Sequence, residues 1–140
     1  MAVFMPDASV AIPWCARDEA SAWTDRLLER LKTGDSALVP PLWPYEVTNT
    51  LLHLQRRGRI TGDEVVRFLD DLRALPIQID SDGLQRIFDR VVNLAERHRM
   101  TTYDAAYLEL AVRTGHPLAT KDVDLEAAAQ AEGVILINKV

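Results

Sequence analysis

Cysteine is almost absent: Cys15 stands alone, so the chain can form neither an internal disulfide nor a cysteine-built zinc site. Its three histidines, His53, His98 and His116, lack the spacing of a zinc motif and offer Ser9 no triad logic. A glycine-rich phosphate loop is missing. So is any apolar run of the roughly 20 residues that span a bilayer. The start "MAVFMPDASVAIPW" has no basic leader and is broken by Pro6, Asp7 and Pro13, so no signal peptide is expected and the cytoplasm is the default location. Positive charge is short as well. A formal net charge of −5 argues against a protein that grips nucleic acid mainly through a bulk positive field. It leaves room for a nucleic-acid enzyme, because a cation held by carboxylates can itself recruit phosphate.

What is present fits a single domain over residues 1–140. With 48% hydrophobic and 26% charged residues, the chain has the make-up of a globular protein that can bury a real core. Short apolar runs alternate with helical patterns. Strands are expected at residues 3–5, 37–39, 77–79, 117–120 and 134–137. Helices are expected over 18–33 (Ala20, Trp23, Leu27, Leu31), from Pro44 (Val47, Leu51, Leu54) and from the Thr61/Glu64 capping box (Val65, Phe68, Leu69, Leu72). Three more are marked by Leu84, Ile87, Phe88, Val91 and Ala95, by "TTYDAAYLELA", and by the run after Asp122. Gly34, Gly58, Gly115 and Gly133 fall where helices should stop. Strands separated by helices in this way predict an α/β fold with a mainly parallel sheet.

In such sheets ligands bind beyond the carboxyl ends of the strands. Asp7 follows the first strand; Asp122 follows "LAT", with Asp124 two residues on. Glu46 and Asp104 lie in the first turns of helices that begin near the same edge. Each acid has a plain explanation of its own. Asp104 complements a helix dipole for about 0.3–1 kcal/mol, Asp122 is a natural N-cap, Asp124 reads as dipole decoration, Asp7 as a turn residue, and Glu46 as a surface side chain. Their conjunction is what needs another account. Two carboxylates about 4 Å apart repel by roughly 4 kcal/mol at an effective dielectric of 20, so a cluster needs protons or cations. Oxygen-only ligands favour Mg²⁺ or Mn²⁺ over zinc, and the chemistry this suggests is metal-assisted phosphodiester hydrolysis.

The same residues carry a resemblance. "DASVAIPWCARDE", "PPLWPYEVTNTLL", "TTYDAAYLELA" and "PLATKDVDLEAAA" resemble, in order and over essentially the whole chain, the four motifs of PIN domains. The likeness is strongest to VapC-type ribonuclease toxins of toxin–antitoxin pairs. It implies a three-layer α/β/α sandwich and a metal-dependent endoribonuclease. Asp7 and Asp104 would be the chief ligands of Mg²⁺ or Mn²⁺, with Glu46 and Asp122 completing the shell directly or through water. Ser9, Asn49 and Thr120 match accessory polar positions. Homodimers, and inhibition by a small antitoxin, are implied too. Pro6 departs from the pattern and is expected to end the first strand early.

Other features have simpler readings. The basic runs at 55–59 and 96–99 read first as solvated helix ends, with RNA or antitoxin contact as the alternative. Lys121 is a weak candidate for a substrate phosphate. Trp14, Trp23 and Trp43 suit core packing or a dimer interface better than base stacking. Two rival functions are a receiver-like phosphoacceptor, for which "IQIDSD" is the other strand-end acid pair, and a catalytically silent PIN-fold binding module.

Overall fold

The structure, a computed structural model, describes residues 1–140. Four parallel strands, β1 (Val3–Pro6), β2 (Ser36–Val39), β3 (Ile77–Ile79) and β4 (Leu118–Ala119), form one sheet in the order β3-β2-β1-β4. Seven α-helices connect and cover it. They are α1 (Ala8–Cys15), α2 (Ala22–Lys32), α3 (Trp43–Arg56), α4 (Gly62–Ala74), α5 (Val92–His98), α6 (Thr102–Thr114) and α7 (Val123–Ala131). Packing divides them into two sets: α1 meets α2, α3 and α4, whereas α6 meets α5 and α7. The result is the expected α/β/α sandwich. Phe4, Met5, Val39, Leu51, Leu108 and Leu118 are among its fully buried residues.

Local chemistry explains most boundaries. Thr61 Oγ1 accepts the Glu64 N–H at 3.1 Å while Glu64 Oε1 accepts the Thr61 N–H at 3.2 Å, the reciprocal cap foreseen for α4. Thr61→Ala is expected to lower stability by about 1 kcal/mol, read as a lower urea midpoint at unchanged slope. The helix expected over 18–33 is shorter. Ser21 is extended and caps α2 through Thr24, leaving Arg17–Glu19 as a separate 3-10 turn.

Four expectations need correction. A whole helix, α1, was unforeseen. Val10, Ala11, Ile12, Pro13 and Trp14 are all buried, so it has no polar face to create a 3.6-residue period, and Pro13 sits within it. Pro6 does not shorten β1, whose ladder to β4 runs Met5–Leu118 and Pro6–Ala119. Its missing N–H falls on the β2 side, beyond the Phe4–Ala37 pair where the β1–β2 register ends. The stripe from Leu84 to Ala95 is no single helix. It breaks into a 3-10 turn (Asp82–Arg86), a π turn (Ile87–Val91) and α5, with Phe88 95% exposed. Residues 134–137 form only one bridge, Leu118 with Leu136, because β4 is two residues long and offers nothing further to pair with.

No helix is long and apolar enough to cross a membrane.

Candidate active site

All four strands run the same way, so their carboxyl ends share one edge. β1 delivers Asp7 there. Its N–H donates to Ala119 O at 3.0 Å, which ties the acid directly to β4. The Asp7 carboxylate is buried and held by two hydroxyl relays from the turn after β4. The Lys121 N–H donates to Ser9 Oγ at 3.0 Å, and that hydroxyl donates to Asp7 Oδ1 at 2.5 Å. The Asp122 N–H donates to Thr120 Oγ1 at 3.0 Å, and that hydroxyl donates to Asp7 Oδ2. Ser9 and Thr120 therefore orient Asp7.

The other acids arrive on helix N-termini. Asp104 lies in the first turn of α6, its N–H donating to the capping Thr101 Oγ1 at 3.1 Å. Asp122 is the N-cap of α7, and its Oδ1 accepts the N–H groups of Asp124 at 2.9 Å and Leu125 at 3.2 Å. Glu46 lies in the first turn of α3 and accepts the hydroxyl of Tyr107. Tyr107 was missed as a site residue. It sits three positions after Asp104 on α6 and is 2% exposed, and its spacing suggested nothing beyond a core position. Glu46 and Asn49 line one groove; Asp104, Asp122 and Asp124 line another beside it. Lys121 is exposed, and the tie to Ser9 comes from its backbone.

These carboxyls feel one another. Burial pushes Asp7 above its ordinary value of 3.8, against the hydroxyls of Ser9 and Thr120. Burial also raises Glu46; the Tyr107 hydroxyl opposes it, and the charges of Asp104 and Asp7 add to it. Asp104 is raised first by burial and then by Asp122, with Thr101 opposing and Asp124 adding a smaller push. None of the five crevice acids has a salt bridge. Elsewhere acids are paired: Asp80 with Arg113, Glu109 with Arg113, and Glu132 with Arg97 and His98. The acids thus repel one another without an ion pair to offset it, although Arg99 lines the groove that holds Asp104, Asp122 and Asp124.

Whether these residues suit a divalent ion can be tested on their own chemistry. All the donors are carboxylate or hydroxyl oxygens, the set that hard cations prefer. Yet no three Asp, Glu, His or Cys side chains converge closely enough to hold one ion. Glu46 is drawn to Tyr107 and Asp122 to the α7 N-terminus. One or two carboxylates with the remaining positions left to water is the usual arrangement for Mg²⁺, so the residues fit that ion rather than a protein-only cage.

The remaining candidates sort plainly. Arg97 and His98 of the second basic run bind Glu132, and Arg59 of the first binds Asp18 and Glu19. Those three serve the fold. Trp14 is buried and donates to Thr24 O at 2.8 Å, and Trp43 is buried as well. Asp80, from "IQIDSD", is locked bidentately by Arg113.

Comparison with known proteins agrees with this architecture. The family model described as PIN domain matches residues 4–131. Ribonuclease VapC3 of Pyrobaculum aerophilum is 33% identical over 126 residues, covering 85% of this chain and 88% of its own. The crystal structure of PAE2754 from the same organism superimposes with a TM-score of 0.69 at 26% identity, covering 93% of this chain and 89% of that one. VapC20 of Mycobacterium tuberculosis, a sarcin–ricin-loop-cleaving toxin, gives 0.62 at 17% identity over 98% and 99% of the two chains, a likeness of fold. With a domain model matched from its first strand to its last helix, the chain belongs to the PIN-domain family, and VapC proteins are among its relatives.

Proposed function

We propose that this chain is a single-domain, Mg²⁺- or Mn²⁺-dependent endoribonuclease, the toxin of a type II toxin–antitoxin pair. One observation carries the reading: four segments bring Asp7, Glu46, Asp104 and Asp122 to one sheet edge with no cationic side chain paired to them. The VapC3 relative, a ribonuclease by name, supports the choice of RNA.

Asp7 and Asp104 are the carboxylates to hold the ion, with Glu46 and Asp122 completing the shell through water. When bound, the ion supplies neutralisation of phosphate charge and a lowered pKa for water. Ser9 and Thr120 keep Asp7 ionised and oriented. Tyr107 fixes Glu46 by one oxygen, leaving Oε2 to accept a proton from the attacking water. Its raised proton affinity suits that task, because a general base works best with a pKa nearer the working pH. Asn49 borders the same groove as Glu46 and orients water. Asp124 adds negative charge to the cluster, and Lys121 meets a substrate phosphate. The family resemblance adds a homodimer, a small antitoxin partner and a cytoplasmic setting.

The purified chain should cut RNA in Mg²⁺, lose that activity in chelator and regain it with added Mn²⁺, read on denaturing gels. Cleavage indifferent to chelator would sink the metal assignment.

A further inference from the structure

The carboxyl edge of the sheet is divided. The acids lie over β1 and β4. Beside them, past the ends of β2 and β3, opens a cavity of about 330 Å³, a volume in the range of small-molecule sites. Its walls include Leu42, Leu84 and Ile87, and its lining also holds Tyr45 and Tyr103, 79% and 64% exposed. Each tyrosine directly precedes a site acid, Glu46 or Asp104. Both also border the groove that holds Glu46 and Asn49, so the two rings form the ridge between the cavity and the acids.

The cavity has a charged lining too. Arg113 donates to Asp80 through Nη1 at 3.3 Å and Nη2 at 2.7 Å, and to Glu109 through Nε at 2.8 Å. Those bonds use three of the five guanidinium N–H groups and leave two. Asp80 is saturated, since it also accepts the N–H groups of Asp82 and Gly83. A Cβ at Gly83 would lie 2.6 Å from Asp80 Oδ2 and 3.1 Å from Arg113 Nη2, so a side chain there would displace this pair. The cavity therefore combines exposed aromatic faces, aliphatic walls and a fixed, part-buried donor.

Resting on the nuclease reading, we propose that this cavity takes one unpaired nucleobase of the RNA strand, stacked on Tyr45 and Tyr103 with its polar edge toward Arg113. Arg113 lines the cavity and keeps two N–H groups, for which a base carbonyl or ring nitrogen is an acceptor and an aliphatic side chain is not. Charge points the same way. The acids repel phosphate, and the one arginine in the cavity is already paired with two carboxylates. Hold on the strand therefore comes from stacking, which any base can supply through its π face.

The test uses the full chain in Mg²⁺ with unstructured RNA oligonucleotides carrying one abasic site at each position near the cut. Tyr45→Ala and Tyr103→Ala should each lower kcat/KM about tenfold, mostly through KM, the effect of losing one base–aromatic stack. Tyr→Phe should restore it. One abasic position should cause the same loss in the parent chain and none further in the double alanine variant. Equal cleavage by parent and variants, or losses independent of the abasic site, would overturn the cavity assignment. So would a Tyr103→Ala chain with altered oligomeric state and unaltered RNA affinity, which would mark a protein-binding face. Binding of uncleavable 2′-O-methyl RNA separates the two readings. A chain that binds it through the tyrosines but cuts no RNA would refute the nuclease reading and leave the cavity standing.

Discussion

Asp7→Asn should abolish RNA cleavage, lowering kcat by at least roughly 100-fold, while the chain stays folded. Asp7 is the one acid whose two oxygens are both fixed by hydroxyls that are themselves fixed by backbone N–H groups. Its loss removes the best-oriented carboxylate of the cluster. Two opposing effects keep the stability change small. An amide can accept from only one of the Ser9 and Thr120 hydroxyls, which forfeits a hydrogen bond worth about 0.5–1.5 kcal/mol. Against that, burial raises the Asp7 carboxyl above 3.8, so the ionised form opposes folding. A raised pKa means the folded state prefers the protonated acid; its contribution is fully present below 3.8 and is lost as pH rises through the folded value. Relative to the parent, the asparagine variant should therefore gain stability on going from pH 4 toward pH 7. Thermal melts across that range, alongside single-turnover cleavage, check both halves. Full activity in the variant would refute the role given to Asp7.

Arg113→Met should lower stability by about 2–3 kcal/mol, below the roughly 3–5 kcal/mol for breaking a fully buried ion pair because the guanidinium is only part-buried. Methionine fills much of the same space, so the effect isolates charge from packing. Asp80 and Glu109 are 8% and 3% exposed and would lose their nearest cation. Glu109 retains Arg86 at 3.7 Å, which places most of the loss on Asp80. In the parent chain, burial lifts Asp80, but Arg113 and the N–H groups of Gly83 and Asp82 outweigh it and hold the carboxyl below 3.8. A depressed pKa stabilises the fold above 3.8, and that support is lost as pH falls through the folded value. Without Arg113 burial is opposed only by those backbone donors, so the variant should come closest to the parent at acid pH. Arg113→Met/Asp80→Asn should recover part of the loss. Urea denaturation at pH 7 and pH 4 reads all three comparisons, and an unchanged midpoint in Arg113→Met would show the pair to be dispensable.

Much of the architecture was legible because it rests on local chemistry. The Thr61/Glu64 box, the positive-φ glycine closing α6 at Gly115, and the periodic stripes of α3 and α4 are each set by neighbours within four residues. Helix α1 was invisible for the opposite reason: it is buried on every side, and periodicity reports only a boundary between core and water. The stripe from Leu84 to Ala95 misled because its first half is exposed, with Leu84 and Ile87 lining a surface cavity, and only Val91 and Ala95 reach the core.

By itself the sequence determined the four parallel strands, the acids that follow strands or open helices, and the family they resemble, since strand direction and helix starts bring Asp7, Glu46, Asp104 and Asp122 toward one edge. Only the tertiary structure decided how each acid is held. The relays from Ser9 and Thr120 to Asp7, the hydroxyl of Tyr107 on Glu46, and the locking of Asp80 by Arg113 join residues 2 to 113 positions apart. Hydrogen bonds of that kind depend on where side chains meet after the layers pack, and spacing along a chain carries no record of it.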